Sequence, residues 1–123
     1  MPQMDKRIRF ISHQGKQILL VDFSHRSASE VEKIARTVPD LVTVQPRGSV
    51  LVLVDFTGAT VDRDAIRVMK ESAVFDKPYI KKSAWIGVAS LPEDFCQEIK
   101  KFSGRELPVF ASREDALGWL AKD

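Results

Sequence analysis

Residues 51–58 read LVLVDFTG, and residues 18–24 read ILLVDFS. In both stretches an unbroken apolar run ends in aspartate, phenylalanine and a hydroxyl residue. An apolar run without polar alternation is typical of a strand that is buried on both faces, as in parallel sheets covered by helices. Each run is followed by a helix-forming stretch, so the pair predicts an α/β domain. Polar groups in such a domain gather beyond the carboxyl ends of its strands.

The rest of the chain predicts three more strands and four helices, which gives the order β-β-α-β-α-β-α-β-α. The strands lie within residues 7–12, 17–23, 50–56, 80–89 and 107–110. The first two join through a turn at Gly15 and form a hairpin. Parallel strands joined by right-handed crossovers then give a mixed, mostly parallel five-stranded sheet with the four helices against it.

Capping residues and prolines predict where the helices begin and end. Ser27 or Ser29 is a candidate N-cap for the first helix, and Ser112 caps the last. Pro39 lacks an amide hydrogen, so the first helix is expected to kink or restart there. Residues 91–94 are expected to open the third helix, with a proline in its first turn.

Aromatic side chains are expected to lie mostly in the core, where rings bury large apolar areas. The candidates in the second half of the chain are Phe75, Tyr79, Trp85 and Phe102. If some of these rings line a cavity instead, the domain is suited to hold an apolar ligand.

Size, charge and cysteine content limit the classes of function. The 123 residues fit a single domain, spanning residues 1–123, and a net charge of +2 is too small to indicate nucleic acid or an anionic membrane as partner. The lone Cys96 excludes an intramolecular disulfide and a cysteine zinc cluster, and we expect no metal and no cofactor. No stretch is long enough for a membrane span, and residues 1–7 lack the apolar core of a signal peptide. We therefore expect a cytoplasmic protein.

Four phrases carry a resemblance to a known family. They are VDFTG at residues 54–58, KPYIKKSA at 77–84, IGV at 86–88 and FSGR at 102–105. With the element order, these phrases resemble the STAS/SEC14-domain, or anti-sigma-factor-antagonist-like, family of small bacterial proteins. The likeness runs over nearly the whole chain and implies a STAS-like fold.

The resemblance also implies a site. In anti-sigma-factor antagonists an Asp-Ser-Ser-Gly turn follows the central strand, and phosphorylation of its second serine decides whether a partner kinase is bound. Asp55 and Gly58 match that turn, Thr57 takes the acceptor position, and Phe56 replaces the first serine. The resemblance therefore implies that Thr57 is a phospho-acceptor or partner contact, together with Asp55, Gly58 and Thr60.

Two other interpretations of this turn stay open. In the first, Asp55 and Thr57 only bond local backbone at the end of a strand, as such residues commonly do. In the second, Asp22, Asp55, Thr57 and Lys81 form an aspartyl-phosphate site like that of receiver domains. Receivers hold Mg²⁺ with an adjacent acidic pair on their first strand, whereas Asp22 stands between two apolar residues.

Other polar residues form weaker candidate sites. Asp22 and Ser24 are expected on the same strand-end rim as Asp55, and Lys81 with Arg105 is a candidate anion rim. No nucleophile and base can be paired from two separated histidines and one cysteine, so no catalytic residue is assigned.

The sequence thus favours a non-enzymatic regulatory module that presents the turn at residues 55–60 to a partner protein. The alternative is a carrier of a lipid or other apolar small molecule in a SEC14-like pocket between helices and sheet. A small enzyme ranks third. An unpaired edge strand at residues 7–12 makes a homodimer a further candidate assembly.

Overall fold

The structure, a computed structural model, describes residues 7–104 and 107–122. Its strands are Ile8–His13 (β1), Lys16–Asp22 (β2), Val50–Asp55 (β3), Ile80–Ile86 (β4) and Val109–Phe110 (β5). Its α-helices are Ala28–Val42 (α1), Arg63–Asp76 (α2), Phe95–Ser103 (α3) and Arg113–Ala121 (α4). The predicted element order, β-β-α-β-α-β-α-β-α, is confirmed.

The five strands form one sheet, in the spatial order β1-β2-β3-β4-β5. β1 is antiparallel to β2, and all other neighbours are parallel. Asp22 lies directly beside Asp55 in the register of β2 and β3, and Asp55 lies beside Ile86 of β4. The two Asp-Phe-hydroxyl turns therefore lie side by side at the carboxyl ends of β2 and β3.

Helices cover both faces of the sheet, which explains the unbroken apolar runs of β2 and β3. The crossover helices α1, α2 and α3 pack on one face, and α4 packs on the other. The residues of β2 and β3 under α4 are Ile18, Leu20, Leu51 and Leu53. Because side chains alternate along a strand, Asp22 and Asp55 continue these two rows and lie on the side of α4.

An aromatic cluster fills the core beneath α1–α3. Phe56 is fully buried, and its ring centroid lies 5.2 Å from that of Phe23, 4.9 Å from Trp85 and 5.5 Å from Phe95. Tyr79 packs against the same core and is partly buried. The expectation of a core position is thus confirmed for Trp85.

The expectation is wrong for Phe75 and Phe102, which are 64% and 43% exposed. Helix α2 buries the row that includes Met69, Ser72 and Asp76, so Phe75 lies on its flank. The ring of Phe102 lies under the Lys70 ammonium, with Nζ 5.3 Å from the ring centroid, and this cation–π contact needs no burial.

The restart expected at Pro39 does not occur, because α1 runs through the proline to Val42. Proline has no N–H to give to the carbonyl of Ala35, four residues earlier. The Ser72 hydroxyl of α2 donates to that carbonyl instead, at 2.9 Å and buried from solvent. A neighbouring helix thus satisfies the backbone group that the proline leaves open.

We expect Ser72→Ala to lower the free energy of unfolding by about 1–3 kcal/mol, the usual cost of a buried polar group without a partner. In a Pro39→Ala background the cost should shrink, because the amide of the new residue can donate to the Ala35 carbonyl. Urea denaturation of the four proteins in this double-mutant cycle measures the coupling. An equal cost in both backgrounds would contradict this account of Pro39.

The third helix begins later than expected. Residues 88–90 form a short 3₁₀ turn, the amide of Phe95 donates to the carbonyl of Pro92 at 3.0 Å, and α3 begins only at Phe95. The proline therefore lies in a turn that precedes the helix rather than in its first turn. Ser27, of the two candidate caps of α1, is the N-cap and forms a capping box with Glu30.

Candidate functional site

The two parallel strands end in the same local structure. The amide of Ser24 donates to Asp22 Oδ1 at 2.9 Å, and the amide of Thr57 donates to Asp55 Oδ1 at 2.9 Å. The backbones stay paired beyond the strands, since the amide of His25 donates to the Thr57 carbonyl at 2.8 Å. Each aspartate therefore holds the turn that follows it, as local side-chain bonding predicted.

Thr57 is an exposed residue whose hydroxyl is nevertheless held in place. Its Oγ1 donates to Asp55 Oδ1 at 2.7 Å, and the loop after β4 passes so close that a Cβ on Gly87 would overlap Thr57 Oγ1. On the next residue, a Cβ on Gly58 would lie 2.5 Å from His25 Nδ1, so the His25 ring packs against this turn. Thr57 is thus exposed as a residue, while its hydroxyl is held in one orientation.

Arg113, the first residue of α4, joins the last helix to both aspartates. Its Nη2 and Nε lie 2.8 and 3.1 Å from Asp55 Oδ2, and Nη2 lies 3.6 Å from Asp22 Oδ2. Arg113 is not among the residues predicted from the sequence, although the sequence contains a signal for it. Cations are unfavourable in the first turn of a helix, so an arginine directly after the N-cap Ser112 indicates a role outside the helix.

Arg7 completes the charge balance on the other side. Its Nη1 lies 3.1 Å from Asp22 Oδ2 and donates to both the hydroxyl and the carbonyl of Ser24, at 3.1 and 3.2 Å. We call this group the strand-end cluster, and it consists of Arg7, Asp22, Ser24, Asp55, Thr57 and Arg113. Its two carboxylates and two guanidiniums sum to no net charge, which suits the burial of Asp55.

The strand-end cluster lowers the pKa of Asp22. Burial alone would raise that pKa, but the side-chain and backbone hydrogen bonds from Ser24 and the charges of Arg7 and Arg113 together outweigh it. Asp22 is therefore more acidic in the folded protein than in the unfolded chain.

This shift predicts a pH dependence of stability. A carboxyl with a lowered folded pKa stabilises the fold above its ordinary pKa, and that contribution disappears as the pH falls through the lowered value. We expect the difference in unfolding free energy between the wild type and Asp22→Asn to be constant from about pH 7 to 5 and to shrink below about pH 4. Denaturant titrations at several pH values measure it, and a difference that does not change with pH would refute it.

The structure separates Lys81 from the strand-end cluster. Lys81 lies five residues before Ile86, the register partner of Asp55, so the two are about 16 Å apart along the sheet. The receiver-like arrangement of Asp22, Asp55, Thr57 and Lys81 is therefore wrong. The anion rim of Lys81 and Arg105 stays a prediction, because Arg105 lies outside the described residues.

Thr60 closes the turn that follows β3. Its amide donates to the carbonyl of Arg26 at 3.0 Å, which ties this turn to the one after β2. With the bond between His25 and Thr57, residues 56–60 are held at two points while Thr57, Gly58 and Thr60 remain exposed. The turn is therefore both held in place and exposed.

In residues 7–104 and 107–122, no group of three or more His, Cys, Asp or Glu side chains is arranged to hold a metal ion. Burial raises the pKa of the Cys96 thiol, which lowers its reactivity at neutral pH. Among these same residues, no helix has both the length and the apolarity of a membrane span.

An apolar cavity lies between the sheet and α1–α3. Its volume is about 90 Å³, and its wall includes Val54, Met69 and Trp85 with the polar side chains of Ser72 and Ser83. Ligand pockets for drug-sized molecules measure roughly 300–1,000 Å³. The cavity as it stands is therefore too small for a lipid chain.

Comparisons with known proteins agree with this architecture. No family model and no curated protein matches the chain. Among solved structures, the chain is similar to an anti-sigma-factor antagonist (STAS) domain protein from Planctomyces limnophilus, with a TM-score of 0.57 and 19% identity. The alignment covers 94% of this chain and 98% of that one, so the likeness extends through the whole fold.

Proposed function

From its STAS fold, we propose that this protein is a non-enzymatic regulatory module that presents residues 56–60 to a partner protein. The observation that carries the proposal is Thr57, an exposed residue whose hydroxyl is fixed by Asp55 at 2.7 Å. The two backbone bonds that hold the turn support it further, because a surface ordered in advance loses little entropy on binding.

We infer that Thr57 is the residue through which binding is regulated. A partner kinase would transfer the terminal phosphoryl group of a nucleoside triphosphate to Thr57 Oγ1 and release a nucleoside diphosphate. The hydroxyl proton leaves in the same step, and Asp55 Oδ1 already accepts its hydrogen bond. The phosphate adds a charge of about −2 to the contact surface, which is enough to exclude a partner that fits the neutral turn.

The experiment is an affinity purification from the source organism with wild-type protein and two variants. Thr57→Val keeps the shape of the side chain and should recover as much partner as the wild type. Thr57→Glu should recover at least tenfold less partner. Thr43→Glu is the control, since Thr43 is also an exposed threonine and lies at the far end of α1. Mass spectrometry of the native protein should find phosphate on Thr57. Unchanged partners with Thr57→Glu and no phosphate would end the proposal.

A carrier of a small apolar molecule is the second candidate function, and the cavity beneath α1–α3 favours it. A ligand longer than a few carbons would have to widen the cavity. Native mass spectrometry of protein from its source should then detect a bound apolar compound, which Ala73→Leu at the cavity wall should displace. Ala89→Leu on the exposed surface is the control.

We further propose that two copies of the chain form a homodimer through the edge strand β1. Within the described ranges β1 has a strand neighbour on one side only, and Phe10 on it is partly exposed. Edge strands of this kind pair readily with a second copy. Sedimentation velocity tests it, with a monomeric wild type as the result against it. Ser12→Pro is the blocking variant, because the Ser12 amide lies on the side of β1 that faces away from β2.

A further inference from the structure

Thr57 and Arg113 bind the two oxygens of one carboxylate. Thr57 Oγ1 lies 2.7 Å from Asp55 Oδ1, and Arg113 Nη2 lies 2.8 Å from Asp55 Oδ2. The hydroxyl and the guanidinium are thus connected through a single carboxylate group, although they come from the turn after β3 and from α4.

Arg113 has hydrogen-bond capacity left over. Both of its contacts with Asp55 go to the single atom Oδ2, through Nε and Nη2, and its side chain is 42% exposed. Among the described residues, its Nη1 has no hydrogen-bond partner. A guanidinium can therefore keep one edge on Asp55 and offer another to an incoming anion.

Phosphorylation of Thr57 would upset the charge balance of the strand-end cluster. The neutral cluster would gain a charge of about −2. Asp55 is only 5% exposed, so the new charge is poorly screened from its carboxylate. Asp55 Oδ1 would also lose the Thr57 O–H as a donor. Arg7 is already engaged by Asp22 and Ser24 on the far side, whereas Arg113 binds the same carboxylate as Thr57.

We propose that Arg113 is a positioning residue that binds the phosphate of phosphorylated Thr57 and thereby transmits the modification to α4. The inference rests on the proposed phosphorylation of Thr57. The planar fork of arginine matches phosphate oxygens in pairs, which a lysine cannot do. Because Arg113 is the first residue of α4, its contact with the phosphate links the modified turn directly to the N-terminus of that helix.

The test uses the full chain with phosphothreonine installed at position 57 by genetic code expansion. A ³¹P NMR titration then compares the wild type with Arg113→Met, Arg113→Lys and the control Arg7→Met. We expect the phosphate to titrate roughly one pH unit higher in Arg113→Met, with Arg113→Lys between the two. Arg7→Met should change the midpoint far less. His25→Gln is a second control, because the His25 ring packs on the same turn.

Equal midpoints in the folded wild type and Arg113→Met would overturn the inference. If Arg113→Met fails to fold, the ¹⁵N shift of Arg113 Nε in the wild type decides, and no change on phosphorylation would overturn it. These readouts need no cellular partner. A native protein without phosphate on Thr57 would remove the proposed function while leaving the binding of phosphate by Arg113 measurable.

Discussion

Phe56→Ala is expected to lower the free energy of unfolding by about 3–5 kcal/mol, which is the usual range for removal of a buried ring. Phe56 is fully buried and contacts the rings of Phe23, Trp85 and Phe95, so its removal opens a cavity at the centre of the aromatic cluster. Much of the stability of a small domain would be lost in this one substitution.

Urea denaturation of Phe56→Ala and Phe75→Ala provides a matched comparison. Phe75 is 64% exposed, so its substitution should change the unfolding free energy by less than about 0.5 kcal/mol. Similar losses for both variants would contradict the burial of Phe56. The burial of Phe56 also explains why this chain departs from the Asp-Ser-Ser-Gly pattern. The position of the first serine holds a core side chain that fixes the turn to the interior.

Gly87→Ala is the second large expected effect. Gly87 has a φ of +70°, where a residue with a Cβ costs about 1–3 kcal/mol. The new methyl group would also overlap Thr57 Oγ1 and crowd its backbone, so the turn after β3 has to move. We expect a loss above that backbone cost, together with displaced NMR signals for Thr57 and its neighbours.

Gly15→Ala separates the two contributions to this loss. Gly15 has a φ of +78°, and a Cβ there meets nothing within 4 Å. Its substitution should therefore show the backbone cost alone and leave the Thr57 signals in place. Equal losses for Gly15→Ala and Gly87→Ala in thermal or urea unfolding would show that the contact with Thr57 carries no energy.

Features that depend on local sequence could be predicted. The apolar run before Asp55 predicts a central strand because a strand buried on both faces has no polar alternation. Ser112 is predicted to be the N-cap of the last helix, and the structure confirms it. The prediction is possible because the hydrogen bond from the amide of Asp115 to Ser112 Oγ spans only three residues. The placement of Asp22 beside Asp55 follows from parallel pairing of two similar runs.

Features that depend on contacts between distant elements were missed. The continuity of α1 through Pro39 depends on Ser72, which lies 37 residues from the carbonyl it satisfies. Arg113 reaches Asp55 from 58 residues away, and only the position of α4 on its own face of the sheet brings them together. The exposure of Phe75 depends on which face of α2 is turned toward the sheet and the other helices. The spacing of apolar residues within α2 does not determine that orientation.

The spatial order of the strands is also their order along the chain. During synthesis on the ribosome, each new strand can therefore add to a partner that has already emerged, without threading past another segment. Because α4 follows the five strands in the chain, one apolar side of the nascent sheet, with Leu20 and Leu53, stays uncovered until α4 has emerged and packs on it. We expect chaperones that hold nascent chains to protect this side, and a stop codon before Arg113 to give an aggregating product.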